Sequence, residues 1–464
     1  MVTTPNAARI IIAGTGGDSG KTFVSMGLCA SWRHRGYKVA TFKKGPDYID
    51  AAWLSYVSGF KTRNLDTYMM GAEGVLHSFH RNCLHDGINL IEGNRGLFDG
   101  FDSRGTHSTA ELAKLLKTPV VLVLNVTKVT RSAAAVVLGF LKLDPDVKIA
   151  GVIINRIGGS RHEDIVRRSI EEICGIPVVG AIPRIKSDHL LPGRHLGLVT
   201  PEEHAQISGL NDEIRRIIED NVDIDRIGKF AEEIPALDNR YSPETPAVIP
   251  SGKARIAYFY DSSFTFYYQD NLEALQGAGA ELIPISSLES QSLPDCDGLY
   301  IGGGFPETHA VQLSQNRSLL ESVRKHASAG LPIYAECGGL IFLCRSIEYE
   351  KKTYSFANIF PVDLEITPRP QGHGYMEVEV DSDNPYFPLR TKICGHEFHY
   401  SRVKSGQDPV GSIFSVKRGQ GCFSQRDGLI YKNVLASYLH IHAAGVPQWA
   451  GNLVDLASRN KNRK

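Results

Sequence analysis

Apolar residues over positions 8 to 240 fall in short runs separated by amphipathic stretches. ARIIIAG, YKVATFK, INLIEG, PVVLVLN and VKIAGVIIN are β-branched and almost free of charge, as expected of strands buried on both faces. Strand and helix alternate, which predicts an α/β fold built on a doubly wound parallel sheet. The pattern stops at EIPALDNRYSPETPAVIPSGK, a stretch with four prolines and no long apolar run, and this reads as a linker. Alternation then resumes in ARIAYFYD, AELIPIS, DGLYIGGG and LPIYAECGG, predicting a second α/β sheet. Between 372 and 440 the runs become short and rich in aromatics and histidine (YMEVEV, HEFHYS, VLASYLHIH), as where antiparallel strands extend a parallel core. The expected organisation is a domain over 1–235, a linker over 236–252 and a second domain over 253–464.

Composition narrows the class. A chain of 464 residues, 42% hydrophobic and 22% charged, can bury two ordinary cores. Lysine plus arginine number 51 and aspartate plus glutamate 51, which argues against a nucleic acid or an anionic membrane as partner. No stretch reaches the roughly 18 apolar residues of a membrane span, and MVTTPNAAR has no apolar leader, so a cytoplasmic protein is expected. The 8 cysteines lie scattered without CxxC pairs, fitting neither a zinc site nor a disulfide framework.

The first strand ends in Gly14-Thr15-Gly16-Gly17-Asp18-Ser19-Gly20-Lys21-Thr22 and runs straight into a helix. A strand, a glycine-rich turn and a helix N-terminus present backbone N–H groups and a positive dipole end to phosphate. Gly14, Thr15 and Gly20 would line the loop of an ATP site, Lys21 would reach the terminal phosphates, and the Thr22 hydroxyl would bind Mg²⁺. Gly14 stands six residues before Gly20, where the usual pattern wants five. KKGPDYID and INLIEGNRGLFDG put acids at neighbouring strand ends: Asp47 and Glu92 are assigned to the metal, with Asp50 and Asp99 near them. A solvated loop acid is the alternative for each. Asn155, with Arg156 beside it, ends a strand and could face adenine, or simply cap the strand.

In the second half LPIYAE leads into Cys337-Gly338-Gly339-Leu340 and an apolar helical run. This reads as a nucleophile elbow whose helix dipole would lower the thiol pKa. Cys29, Cys83, Cys174 and Cys344 read as structural thiols. VLASYLHIH offers His440 and His442 as the base a cysteine nucleophile needs. The glycines of LYIGGGFPE, Gly303 and Gly304, together with Gly338, could supply oxyanion-hole amides.

With both halves in view, the whole chain resembles the cobyrinic acid a,c-diamide synthase family. The carriers are FKKGPDYID, EGNRGLFDG, GGGFPE, AECGGL, GHEFHYS and ASYLHIH, together with a phosphate loop whose glycine-threonine pair is set far from GKT as in dethiobiotin synthetases. The resemblance implies a P-loop NTPase-like, dethiobiotin synthetase-like domain followed by a class I glutamine amidotransferase-like domain. It implies ATP as co-substrate with Mg²⁺, glutamine as nitrogen donor, Cys337 as nucleophile and His440 as base. Many class I glutaminases place a glutamate two residues after that histidine; here His442 stands there, so the group that orients the base is unassigned. KGPDYID is followed by AAWL instead of an expected proline, which leaves the tetrapyrrole open: cobyrinic acid or another corrinoid, a metal-sirohydrochlorin, or a sirohaem-type ring. Lys43, Lys44, Tyr48, Asp50, Arg95 and Asp99 near the phosphate site, and His373, Tyr375, His396, His399 and Tyr400 in the second half, are candidates for contacting it. Packing or metal binding is the alternative for that histidine-aromatic cluster. The implied chemistry is a carboxylate phosphorylated by ATP and then attacked by ammonia, and a homodimer is a further expectation. The rival from another class is a nucleotide switch like the partitioning ATPases, which would have no use for Cys337 and His440.

Overall fold

The β-branched runs of the first half form seven parallel strands: β1 (Arg9–Gly14), β2 (Val39–Lys44), β3 (Arg63–Leu65), β4 (Ile88–Gly96), β5 (Val120–Asn125), β6 (Ile149–Ile157) and β7 (Val178–Pro183). The structure, a computed structural model, describes residues 7–185, 193–194, 197–198, 201, 207, 209–237, 252–404 and 411–461. The chain divides into two compact units, one of Met1–Thr67 and Gly71–Pro243, the other of Tyr68–Met70 and Glu244–Lys464. Most of the expected linker, residues 238–251, lies outside the described residues.

Strand order in the first unit is β3-β2-β4-β1-β5-β6-β7. The chain winds one way from β1 and then the other, so the carboxyl ends of β1 and its neighbours border the crevice where open α/β sheets bind ligands. All six residues of β1 and of β2 are buried, which is why these runs carry almost no polar alternation. The helix Lys21–His34 packs against Leu210–Asn221 through Gly27, where a Cβ would stand 2.1 Å from Ile218 Cγ1. That glycine lets the helix following the phosphate loop lie flush against its neighbour.

In the second unit four parallel pairings link Ala280–Ile285, Ala254–Phe259, Gly298–Ile301, Ile333–Glu336 and Val434–Ser437. The sheet then continues antiparallel through Arg426–Tyr431, Ser412–Arg418, Gly372–Val380 and Lys392–His399, giving nine strands. YMEVEV and HEFHYS fall in antiparallel strands as expected, but VLASYLHIH does not: Val434–Ser437 pairs in parallel with Ile333–Glu336 and belongs to the parallel part of the sheet. Side-chain alternation on Ile333–Glu336 sends Ile333 and Ala335 into one core and Tyr334 into another that holds Tyr300 and Trp449. Among the described residues no helix is long and apolar enough to cross a membrane.

Candidate active sites

The phosphate loop is held by contacts that only glycine permits. A Cβ on Gly14 would stand 2.2 Å from Ser19 Oγ and 2.9 Å from the Gly16 carbonyl. Gly20, the N-cap of Lys21–His34, has φ 97°, and a Cβ there would lie 2.2 Å from Asn155 Nδ2. Asn155 Nδ2 donates to Ser19 O at 2.9 Å, and its Oδ1 accepts from the Arg156 amide at 2.8 Å. Both ends of the amide thus bond backbone and brace the loop. The Thr15 amide ties the loop to β5 through Val123 O at 3.2 Å. Lys21 Nζ folds back on Gly16 O at 3.0 Å, and burial together with Lys43 holds its ammonium below the ordinary lysine value.

Beside the loop, Thr22 Oγ1 donates to Glu92 Oε1 at 2.8 Å. Lys43 Nζ bonds Glu92 Oε1 at 2.7 Å and Asp50 Oδ2 at 2.6 Å. Burial opposes the charge on Lys43, but Asp50 and Glu92 outweigh it and hold the ammonium above its usual value. Lys43 and Asp50 are therefore engaged with each other inside the acid cluster. Burial pushes the Glu92 carboxyl up to about 7 against the pull of Lys43, and its Oε2 is buried with no hydrogen-bond partner. An orphaned carboxylate oxygen next to a threonine hydroxyl suits a hard cation that takes one or two carboxylates plus phosphate oxygens and waters. Glu92 and Thr22 thus fit Mg²⁺. Asp47 Oδ1 is occupied as N-cap of Tyr48–Ser58, accepting the Asp50 amide at 2.8 Å, and burial pushes its carboxyl up to about 6. Asp99 is exposed and its Oδ2 accepts the Gly96 amide at 2.9 Å, shaping the turn. Lys44 is buried 3.9 Å from Asp66, Tyr48 opens its helix half-buried, and Arg95 is exposed with φ 49°.

In the second unit Cys337 has φ 47° and ψ −96°, the strained geometry of an elbow between Ile333–Glu336 and Gly338–Leu343. Its Sγ lies 3.8 Å from Phe398 O. Burial and then Glu307 push the thiol above its ordinary value. The glycines meet the elbow as expected. A Cβ on Gly338 would lie 3.0 Å from the Gly304 amide nitrogen, and one on Gly303 would lie 2.6 Å from His440 Cε1. Gly303 is not an oxyanion donor, because its N–H is given to Phe266 O at 3.3 Å in a bridge whose other half, Phe266 N to Gly303 O, is 3.1 Å.

His440 is 2% exposed and bridges antiparallel to His396 through two backbone hydrogen bonds of 2.8 and 3.1 Å. The two imidazoles stack with centroids 4.7 Å apart and planes 16° apart. Burial and the facing His440 hold His396 well below the ordinary histidine value, so its ring is neutral. His396 thus backs the His440 ring. His399 stacks on Tyr438 at 3.6 Å and bonds Ser401 O, while Glu397 accepts amides of Gln420 and Gly421, so both are structural. His373 is exposed and stacked on Phe398 at 4.6 Å, with Tyr400 on the same ring at 5.9 Å and Tyr375 half-buried. Cys337, His440 and the Gly302–Gly304 turn are brought together, and Phe398, on whose ring His373 and Tyr400 pack, turns its carbonyl toward Cys337 Sγ. One residue near it had no signal in the sequence. Glu336, fully buried, puts Oε2 3.5 Å from His440 Nδ1.

Residues 10–199 match the CobQ/CobB/MinD/ParA nucleotide binding domain and residues 255–447 the CobB/CobQ-like glutamine amidotransferase domain. The class is a glutamine amidotransferase joined in one chain to a nucleotide-binding domain. The cobyrinate a,c-diamide synthase of Magnetococcus marinus is 42% identical over 95% of this chain and 95% of its own. That of Archaeoglobus fulgidus is 40% identical over 98% of each chain, and that of Dehalococcoides mccartyi 40% over 97% and 98%. This chain belongs to the cobyrinate a,c-diamide synthase family.

Proposed function

We propose that the protein converts the a and c acetate carboxylates of cobyrinate to amides, using ATP to activate each carboxylate and glutamine as the source of ammonia. The observation that carries this reading is end-to-end likeness, 42% identity over 95% of the chain, to a protein of that activity, in a chain holding both a phosphate loop and a cysteine elbow. Cytoplasmic location, a homodimer and the absence of nucleic-acid binding belong to the same reading.

In the amidotransferase half, Cys337 Sγ attacks the glutamine side-chain carbonyl while His440 takes the thiol proton. The Gly304 and Gly338 amides are the donors for the oxyanion, and His440 returns the proton to the departing ammonia. Water then cleaves the glutamyl thioester to glutamate. In the nucleotide half, Lys21 and the loop amides would hold the phosphates, and Thr22 and Glu92 would hold Mg²⁺, with Asp47, at the start of Tyr48–Ser58, as a further candidate ligand. Bound there, Mg²⁺ would neutralise the charge that develops as the γ-phosphoryl moves to the substrate carboxylate. Ammonia displaces phosphate from the resulting acyl phosphate.

The test is incubation of the protein with ATP, Mg²⁺ and glutamine against cobyrinic acid, sirohydrochlorin, its nickel and cobalt forms and sirohaem. The expected outcome is that cobyrinic acid exchanges two hydroxyls for amino groups, read by mass, with ATP and glutamine consumed in step. Amidation of a different macrocycle instead would reassign the substrate. ATP hydrolysis with every macrocycle unchanged would replace the ligase by the nucleotide switch.

A further inference from the structure

The base needs a partner on the ring nitrogen that faces away from the thiol, because that bond fixes both tautomer and orientation. His442, two residues on, does not provide it. Its Nδ1 accepts the Ala444 amide at 3.2 Å, its ring packs 5.1 Å from Tyr268, and its Nε2 is 3.9 Å from Asp270. Asp427, the other buried acid near this loop, is taken up by the amides of Tyr438 and Leu439 at 3.0 to 3.2 Å.

Glu336 is placed by strand register. It is the last residue of Ile333–Glu336, paired with Ser437 on the neighbouring strand, and His440 follows three residues later. Alternation puts Glu336 on the face of Tyr334 and Tyr300, opposite the side that Cys337 takes at the following position. Its carboxylate is 0% exposed. Oε2 lies 3.5 Å from His440 Nδ1 and accepts the Tyr300 hydroxyl at 3.3 Å, and Oε1 accepts the Ile441 amide at 3.4 Å. Burying a carboxylate is costly without a charged partner, and the partners of Glu336 include a histidine, the phenols of Tyr300 and Tyr334, and an amide.

We propose that Glu336 is the positioning carboxylate of the amidotransferase half, holding His440 with its Nδ1–H toward Oε2 so that Nε2 serves the Cys337 thiol. It would then balance the imidazolium formed when the thiol proton is taken. Nucleophile and orienting acid become consecutive residues on opposite faces of one strand end, so a single rigid element sets both. This rests on Cys337 and His440 acting as nucleophile and base.

The experiment compares full-length Glu336→Gln with the parent and with Cys337→Ala. For Glu336→Gln, kcat for glutamine hydrolysis is expected to fall by about 10²–10⁴-fold, the scale seen when an orienting acid loses its charge. Glutamine KM and amidation supplied by ammonium salt are expected to stay within about twofold. An unchanged kcat, or an equal loss of the ammonium-supported reaction, would overturn the assignment. The parent protein gives a readout independent of how any variant folds: ¹⁵N resonances of His440 are expected to report protonation at Nδ1, and an Nε2-protonated neutral ring would overturn it. Cys337→Ala separates the two levels of inference. If it still uses glutamine, the amidotransferase assignment itself falls; if it loses glutamine use while Glu336→Gln keeps it, only the role of Glu336 falls.

Discussion

Lys21 and Lys43 are both buried lysines near the phosphate loop, yet their surroundings give them opposite tasks. Lys21 is turned onto a loop carbonyl with its charge disfavoured by burial and by Lys43, so phosphate oxygens are the partners its ammonium lacks. Lys21→Ala is expected to lower ATP-dependent amidation by about 10²-fold or more with either nitrogen donor, the scale of losing a preorganised charge contact. Glutamine hydrolysis in the same variant should persist, and side-by-side assays of the two reactions check this. Lys43 already sits between Asp50 and Glu92 at 2.6 and 2.7 Å. Removing it leaves buried acids uncompensated, so Lys43→Met is expected to destabilise the first unit by about 3–5 kcal/mol, read by chemical unfolding at neutral pH.

The strand ends carry the chemistry, and here the turns matter more than the strands. Gly304 has φ 155°, and a Cβ on it would stand 2.0 Å from the Ser263 carbonyl, a backbone atom with little room to yield. Gly304→Ala is expected to cost glutamine hydrolysis at least about 10²-fold through displacement of an oxyanion donor, with ammonium-supported amidation retained. Asp427 anchors the turn before His440, and burial pushes its carboxyl up to about 7, well above the ordinary aspartate value. A raised carboxyl favours the folded state while protonated, so this contribution is complete below about pH 4, falls as pH rises to about 7, and is flat beyond. The total is on the order of 4 kcal/mol, read as the difference in pH dependence of unfolding between the parent and Asp427→Asn. At this scale the sequence was most legible: β-branched runs gave the parallel strands, the glycine-rich turns gave the loop and the elbow, and YMEVEV and HEFHYS gave antiparallel strands, whereas VLASYLHIH carries a strand parallel to Ile333–Glu336. Local pattern could not reveal contacts made across the fold. Asn155 reaches a loop 136 residues earlier, Phe266 takes the amide of Gly303, and Glu336 meets a histidine brought to it only by strand pairing. The histidines of GHEFHYS were read as one cluster, but alternation along Lys392–His399 and the turn beyond it sends them to different neighbours.

For the molecule as a whole, the consequence of joining the two activities in one chain lies in the chemistry of ammonia. Free ammonia in water near neutral pH is mostly ammonium, which has no lone pair for an acyl phosphate. Amidation fed by ammonium salt must therefore follow the free-amine fraction, rising about tenfold per pH unit in the range where ammonium dominates. Ammonia released at Cys337 and passed on before it equilibrates with solvent escapes that dependence. Glutamine-fed amidation is accordingly expected to vary little over a pH range in which the ammonium-fed reaction of Cys337→Ala climbs steeply. Mixing Cys337→Ala with Lys21→Ala supplies both competent halves on separate chains, so glutamine-fed amidation in the mixture should stay far below that of the parent at equal protein. Parallel pH profiles, or a mixture as active as the parent, would mean that nitrogen passes through bulk water and that joining the domains serves expression or assembly instead of delivery.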